Sequence, residues 1–179
     1  MMIFRSFQAV LLFLLFSSVF VIASETNEKQ IETKRSGYWT YYCKNYEKER
    51  QCEIVRKINI KEQNETFLIV YKITKGINSK LKESFDIMTP PATKVNVKKR
   101  LKISFDDKTK FTRSFSECEK TSCLTVFKSS KILKYSMKNF NEIKIIFYGF
   151  EDEEPVSLTL LMDGFTQALD NINQQLKSF

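Results

Sequence analysis

Histidine is absent from this 179-residue chain. That removes the histidine-dependent forms of serine and cysteine nucleophile catalysis and most zinc-hydrolase chemistry, because each needs an imidazole as base or ligand. Glycine and proline are scarce, at four and three residues, which excludes collagen-like, linker-rich and low-complexity classes. The one long apolar run is N-terminal, and no second run follows it. What the chain has instead is 16 Phe and seven Tyr in a composition that is 42% hydrophobic and 28% charged. Such a chain falls within the bounds of one globular domain and is large enough to bury its aromatics without obligatory metals or staples.

Residues 1–23 hold one basic residue, Arg5, then the apolar run from Ala9 to Phe16, and end at Val21-Ile22-Ala23 with small side chains at the −3 and −1 positions. This is the pattern of a cleaved secretory signal. A transmembrane anchor is the competing reading, but the strongly apolar stretch falls short of the roughly 20 residues a span needs. Residue 24 is Ser24, so the cut leaves no cysteine for a lipoprotein-type anchor. Residues 24–36 are polar and read as a flexible lead-in, which places a single folded domain at 37–179. Without Arg5 the formal charge drops from +8 to +7.

Export favours disulfides over free thiols. Cys43 and Cys52 have eight residues between them, Cys118 and Cys123 four, and both gaps are polar and turn-like. Of the three connectivities four cysteines allow, local pairing is the simplest. A four-thiolate zinc site fits less well, since the first spacing exceeds the usual knuckle and export opposes it. A thioredoxin-type redox role lacks its C-x-x-C before a helix.

Period-two alternation dominates the rest. The spacing predicts strands at 38–44, 51–60, 66–74, 81–87, 99–105, 110–116, 123–127, 142–149 and 155–162, punctuated by turn residues at 76–79, Pro90-Pro91, 106–108 and 151–155. Roughly nine short strands argue an all-β sandwich of immunoglobulin-like build. Two stretches differ. Residues 130–138 read as a short helix, and in 164–177 the residues Phe165, Ala168, Leu169, Ile172 and Leu176 form one apolar stripe, an amphipathic C-terminal helix closing the sandwich.

Taken in order, the landmarks Gly37-Tyr38-Trp39-Thr40, Cys43, Cys52, Thr89-Pro90-Pro91, Cys118, Cys123 and Leu160-Leu161-Met162-Asp163-Gly164-Phe165-Thr166-Gln167-Ala168-Leu169 resemble the invasion-associated locus B family of bacterial envelope proteins. The resemblance spans roughly residues 37–175. It implies a β-sandwich exported across the inner membrane, periplasmic or outer-membrane-associated, with no established enzymatic site, and it implies envelope residence more firmly than host-cell entry. Trp39, Pro90, Pro91, Gly164, Phe165, Ala168 and Leu169 would serve the scaffold. Ala92-Thr93 stands where a glycine usually follows the proline turn. A secreted factor that contacts host surfaces is the alternative, and a histidine-free hydrolase a remote one.

The sharpest surface feature is Lys94, Lys98, Lys99, Arg100 and Lys102, five cations in nine residues. On a strand at 99–105, Lys98, Arg100 and Lys102 would share one face and could meet the phosphates of anionic lipid or lipopolysaccharide. The bland alternative is a solvated edge strand whose lysines block aggregation. Nucleic acid is not expected, as no recognition helix or stacking motif is visible. An unidentified envelope protein is the other candidate partner. Glu151-Asp152-Glu153-Glu154 lacks the alternate spacing of a calcium loop and reads as a solvated turn; no metal, cofactor or catalytic residue is expected. Trp39, Tyr41 and Tyr42 beside Cys43 are read as core before ligand groove. Asn64-Glu65-Thr66 is a glycosylation sequon that carries meaning only in a eukaryotic secretory host.

Overall fold

The computed structural model describes residues 32–60, 65–106 and 108–178. The signal segment, the lead-in up to residue 31 and Asn64 of the sequon lie outside the described residues. All nine alternating segments are strands. They are β2 (Trp39–Asn45), β3 (Glu49–Ile60), β4 (Glu65–Gly76), β5 (Leu81–Thr89), β6 (Leu101–Ser104), β7 (Lys110–Arg113), β9 (Cys123–Lys128), β10 (Glu142–Phe147) and β11 (Val156–Leu161). Two short strands, β1 (Lys34–Ser36) and β8 (Glu117–Cys118), join them, with helices α1 (Lys131–Asn139) and α2 (Phe165–Lys177).

The strands form two antiparallel sheets, one in the order β1-β2-β3-β4-β5-β9-β8 and one in the order β11-β10-β6-β7. The layering is that of a β-sandwich, and five consecutive strands of the larger sheet run as a meander. Alternation puts Phe67, Ile69, Tyr71 and Ile73 of β4 on one face, all fully buried. That face is covered by two different elements. Phe67 meets Phe147 of the smaller sheet at 5.0 Å between ring centroids, whereas Tyr71 meets Phe165 of α2 at 5.5 Å. The helix is therefore part of the second layer and covers the sheet that the four strands leave bare. Phe165 also stands edge-on to Trp39 at 5.1 Å, so the single tryptophan is core. Each such aromatic pair adds about 0.5–1.5 kcal/mol beyond the area buried.

Two glycines set how closely α2 approaches. Gly37 turns β1 into β2 with φ +53°, and Gly164, at the N-cap of α2, has φ +83°. They lie back to back: a β-carbon on Gly37 would stand 2.5 Å from the Asp163 carbonyl oxygen, and one on Gly164 would overlap the Ser36 carbonyl. The contact is sealed by the Tyr38 N–H donating to the Asp163 carbonyl at 3.3 Å and the Ser36 hydroxyl to Gln167 at 2.9 Å.

Both disulfides join directly opposed residues of neighbouring strands. Cys43 faces Cys52 across β2 and β3 with a Cα separation of 4.1 Å, and Cys118 faces Cys123 across β8 and β9 at 4.0 Å. Local pairing follows from the hairpins themselves, since the narrow pairs of an antiparallel ladder bring opposed α-carbons to about 4.5 Å.

Strand ends shift by a residue or two throughout, and three boundaries change the reading of the surface. Residues 34–36 are an edge strand and not lead-in: they are polar and carry no alternation of their own, but the Gly37 turn lays them along β2. The strand expected at 99–105 begins only at Leu101, because Asn96 closes a turn under Lys98 and Lys99, its side chain accepting from Lys98 N–H at 3.2 Å and its carbonyl from Lys99 N–H at 3.1 Å. The strand expected at 110–116 ends at Arg113, where the chain leaves the smaller sheet for β8 in the larger one.

A carboxylate ties α1 to the core. Glu83 accepts from Lys134 at 2.7 Å, from the Tyr71 hydroxyl at 2.7 Å and from the Ser129 hydroxyl at 3.1 Å. Burial pushes this carboxyl up, but the hydrogen bonds from Lys134, Tyr71 and Ser129 and the lysine charge together hold it below its ordinary 4.5. A group depressed on folding stabilises fully above its unfolded value and loses that contribution as pH falls through the folded one. Melting temperatures compared at about pH 6 and pH 3.5 are expected to fall more for the wild type than for Glu83→Gln, which has no proton to gain. Gly164→Ala is expected to cost at least about 2 kcal/mol in denaturant titration, through left-handed backbone strain and the clash with Ser36.

Candidate binding surface

The proline turn and the basic segment form an ordered loop stitched to the chain after β10. Lys94 N–H donates to the Pro91 carbonyl at 2.8 Å, Asn96 N–H to the Tyr148 carbonyl at 2.9 Å, and Phe150 N–H to the Lys94 carbonyl at 3.1 Å. The turn at Pro91–Lys94 requires no left-handed residue, as neither Ala92 nor Thr93 has positive φ, so the departure from glycine is accommodated. Thr89 is buried, with its hydroxyl in reach of the Pro90 and Cys123 carbonyls at 3.1 and 3.3 Å.

This geometry divides the five cations. Lys94 pairs with Glu65 at 3.6 Å across an open cleft of about 650 Å³ lined by Pro90, Phe147, Phe150 and Asp152. Lys99 packs 3.9 Å from the centre of the Tyr148 ring and donates to the Glu153 carbonyl at 3.3 Å, so it holds the acidic turn in place. Lys98 and Arg100 are exposed in the loop. Only Lys102 is on a strand, and that strand is internal to its sheet, between β10 and β7, which corrects the edge-strand reading.

The register then assembles a basic surface that the linear segment did not show. Lys144 of β10 and Lys110 of β7 both stand opposite Ser104 of β6, and Lys102 stands opposite Ile146 and Thr112. Opposed residues share a face, and residues two apart on a strand share it too. Lys102, Lys110 and Lys144 therefore line the solvent side of the smaller sheet, since Leu101, Ile103, Ile143 and Ile145 fill the buried side. Strand spacing puts Lys144 and Lys110 roughly 10 Å apart, with Lys102 in the next row on the strand between them. None of these three, nor Lys98 or Arg100, makes an ion pair with a described carboxylate. The missed residues, Lys110 and Lys144, lie outside the 94–102 segment in other alternating strands and join Lys102 only through pairing.

The solvent side of the larger sheet is different. Val55, Val70 and Val126 lie in one cross-strand row with Asp86, and Leu68, Met88 and Leu124 in the next. Asp86 is 8% exposed and takes an ion pair from Lys72 at 3.5 Å. On the inner side Arg56 reaches between the layers, stacking 4.6 Å from the Tyr38 ring centre and donating to the Leu161 carbonyl. Among the described residues no group of three or more metal-type side chains converges, and no helix is long and apolar enough to cross a membrane. Glu151 to Glu154 are all exposed.

Three comparisons bear on this arrangement. The family model described as invasion associated locus B (IalB) protein matches residues 39–173. The crystal structure of invasion associated protein B from Bartonella henselae has the same fold, with a TM-score of 0.68 at 17% identity over 82% of this chain and 98% of that one. No curated protein sequence matches significantly.

Proposed function

The chain belongs to the invasion associated locus B family, and from that premise we propose that it is an exported, non-enzymatic envelope protein that holds a phosphate-bearing anionic surface with the solvent side of its four-stranded sheet. The observation that carries this reading is the register that gathers Lys102, Lys110 and Lys144 on one face, with Lys98 and Arg100 at its end and no described carboxylate paired to any of them. Lysines on a stiff sheet present charge without an ordering cost for the backbone, and a lipid or lipopolysaccharide headgroup layer offers phosphates at comparable spacing. Export is supported by four cysteines all engaged in two disulfides, which persist in an oxidising compartment. The signal pattern at residues 1–23 points the same way.

A second reading draws on the name of the similar Bartonella protein: the same cationic face would serve on a host-cell membrane after release. Fractionation separates the two. A processed chain in the envelope fraction, with thiols unreactive until reduced, is the expected result; recovery chiefly from culture medium would favour host contact, and a cytoplasmic protein with reactive thiols would overturn export.

Binding itself is tested on vesicles of phosphatidylglycerol in phosphatidylcholine at low salt. Each lysine near such a surface contributes about 1 kcal/mol, so Lys102→Gln, Lys110→Gln and Lys144→Gln together are expected to weaken binding about 100-fold. Raising salt until the Debye length falls to about 8 Å should weaken the wild type in the same sense. A triple variant that binds as the wild type does would sink the proposal.

A further inference from the structure

Two sheets have four edges, and three of them are guarded. β1 carries Lys34 and Arg35, β7 carries Lys110 and Arg113, and β8 is two residues long and disulfide-bonded. Charges and shortness are the usual devices against strand addition. The fourth edge has none of them. β11 reads Val156-Ser157-Leu158-Thr159-Leu160-Leu161, six uncharged residues in unbroken register with β10, and among the described residues no strand pairs on its other side.

The ladder shows which groups that edge presents. Met162 N–H donates to the Asn141 carbonyl at 2.8 Å and extends the pairing of β10 with β11 by one residue. Antiparallel pairs alternate between hydrogen-bonded and non-bonded positions. The main-chain groups of residues 160, 158 and 156 therefore turn toward β10, and those of Ser157, Thr159 and Leu161 turn outward. Arg56 fits this assignment, for its guanidinium donates to the Leu161 carbonyl. That leaves the N–H and C=O of Ser157 and of Thr159 open to a further strand, with both side chains exposed and Leu161 41% exposed.

We propose that β11 pairs with β11 of a second copy of this chain about a two-fold axis at Leu158. In that register Ser157 of each copy lies opposite Thr159 of the other, closing four hydrogen bonds through the main-chain groups of these two residues. The Leu161 carbonyl stays with Arg56. Charge selects a second copy over an unrelated strand. Antiparallel pairing about Leu158 carries the exposed Glu151–Glu154 turn to the far end of the neighbouring strand, with Glu154 opposite Met162. There Arg56 caps Leu161 and Arg35 donates to the Gly37 carbonyl, two cations beside the single carboxylate of Asp163, which the register sets opposite Glu153. The acidic turn of each copy thus meets the arginines of the other, as a self-complementary two-fold contact requires. The axis stands perpendicular to the sheet, so two four-stranded sheets become one of eight with both lysine faces on the same side. The pairing does not depend on what those lysines bind.

The test uses protein purified as processed by an exporting host. Sedimentation equilibrium is expected to give a two-copy mass with dissociation in about the micromolar range. Thr159→Lys puts a charge on the open edge and should weaken association at least tenfold with an unchanged circular dichroism spectrum; Ser157→Lys should do the same and guards against a local defect at one position. Opposed α-carbons about 5.5 Å apart are within disulfide reach, so oxidation of a mixture of Ser157→Cys and Thr159→Cys proteins should link unlike copies, and neither variant alone should crosslink. A single-copy mass at about 100-fold higher concentration, a two-copy mass that both lysine variants leave unchanged, or crosslinks between like copies with none between unlike ones would each overturn the pairing.

Discussion

The seven-stranded sheet is wider than the four-stranded sheet laid against it, and the apolar face left over has to be covered. The smaller sheet reaches β4 at Phe67 but not at Tyr71, and the region left bare toward β1, β2 and β3 is occupied by one helix, about 10–12 Å across with its side chains. α2 takes that place, with Phe165 set between Trp39 and Tyr71. Removing the helix would expose the tryptophan and the centre of β4, and burial of each large apolar side chain there stabilises by about 1.5–3 kcal/mol. The helix can approach so closely because its first turn meets the β1–β2 hairpin at two glycines, where any side chain would strike backbone. Width, helix and glycine contact form one dependency: the first creates the vacancy, the second fills it, and the third allows the fit.

The same layering distributes charge. Lys102 and Lys144, on the central strands of the smaller sheet, stand on the solvent side because the other side is packed, and pairing gathers cations that are far apart in the chain. Glu65, at the start of β4, engages Lys94, and Glu83 draws α1 onto the large sheet through Lys134. The loop of residues 90–100 is where both patterns meet. It carries the densest run of cations in the chain, yet two of them, Lys94 and Lys99, are spent on fixing the loop against its neighbours.

Much of this was legible beforehand. Period-two alternation marked nine strands because each buries one face, and the 165–176 stripe marked α2 because its buried positions recur at helical spacing. Tight cysteine spacing gave the pairing, since both couples flank short hairpins. What stayed illegible were elements without a pattern of their own. β1 is Lys34-Arg35-Ser36, polar throughout, and becomes a strand only because β2 offers it a ladder. β8 is too short to alternate. The basic segment misled in the opposite direction: its cations looked like a row on one strand, whereas the Asn96 turn takes all but Lys102 out of the strand.

By itself the sequence determined the class of fold, its pairs of cysteines, its terminal helix and its kinship with the family, because each rests on local periodicity or on the order of a few landmarks along the chain. Tertiary structure alone decided which strands are edges, which cations share a face and what covers the large sheet. Those properties belong to neighbours that lie far apart in sequence, and they depend on register: a shift of one residue would send Lys102, Lys110 and Lys144 to the core and their apolar neighbours to solvent.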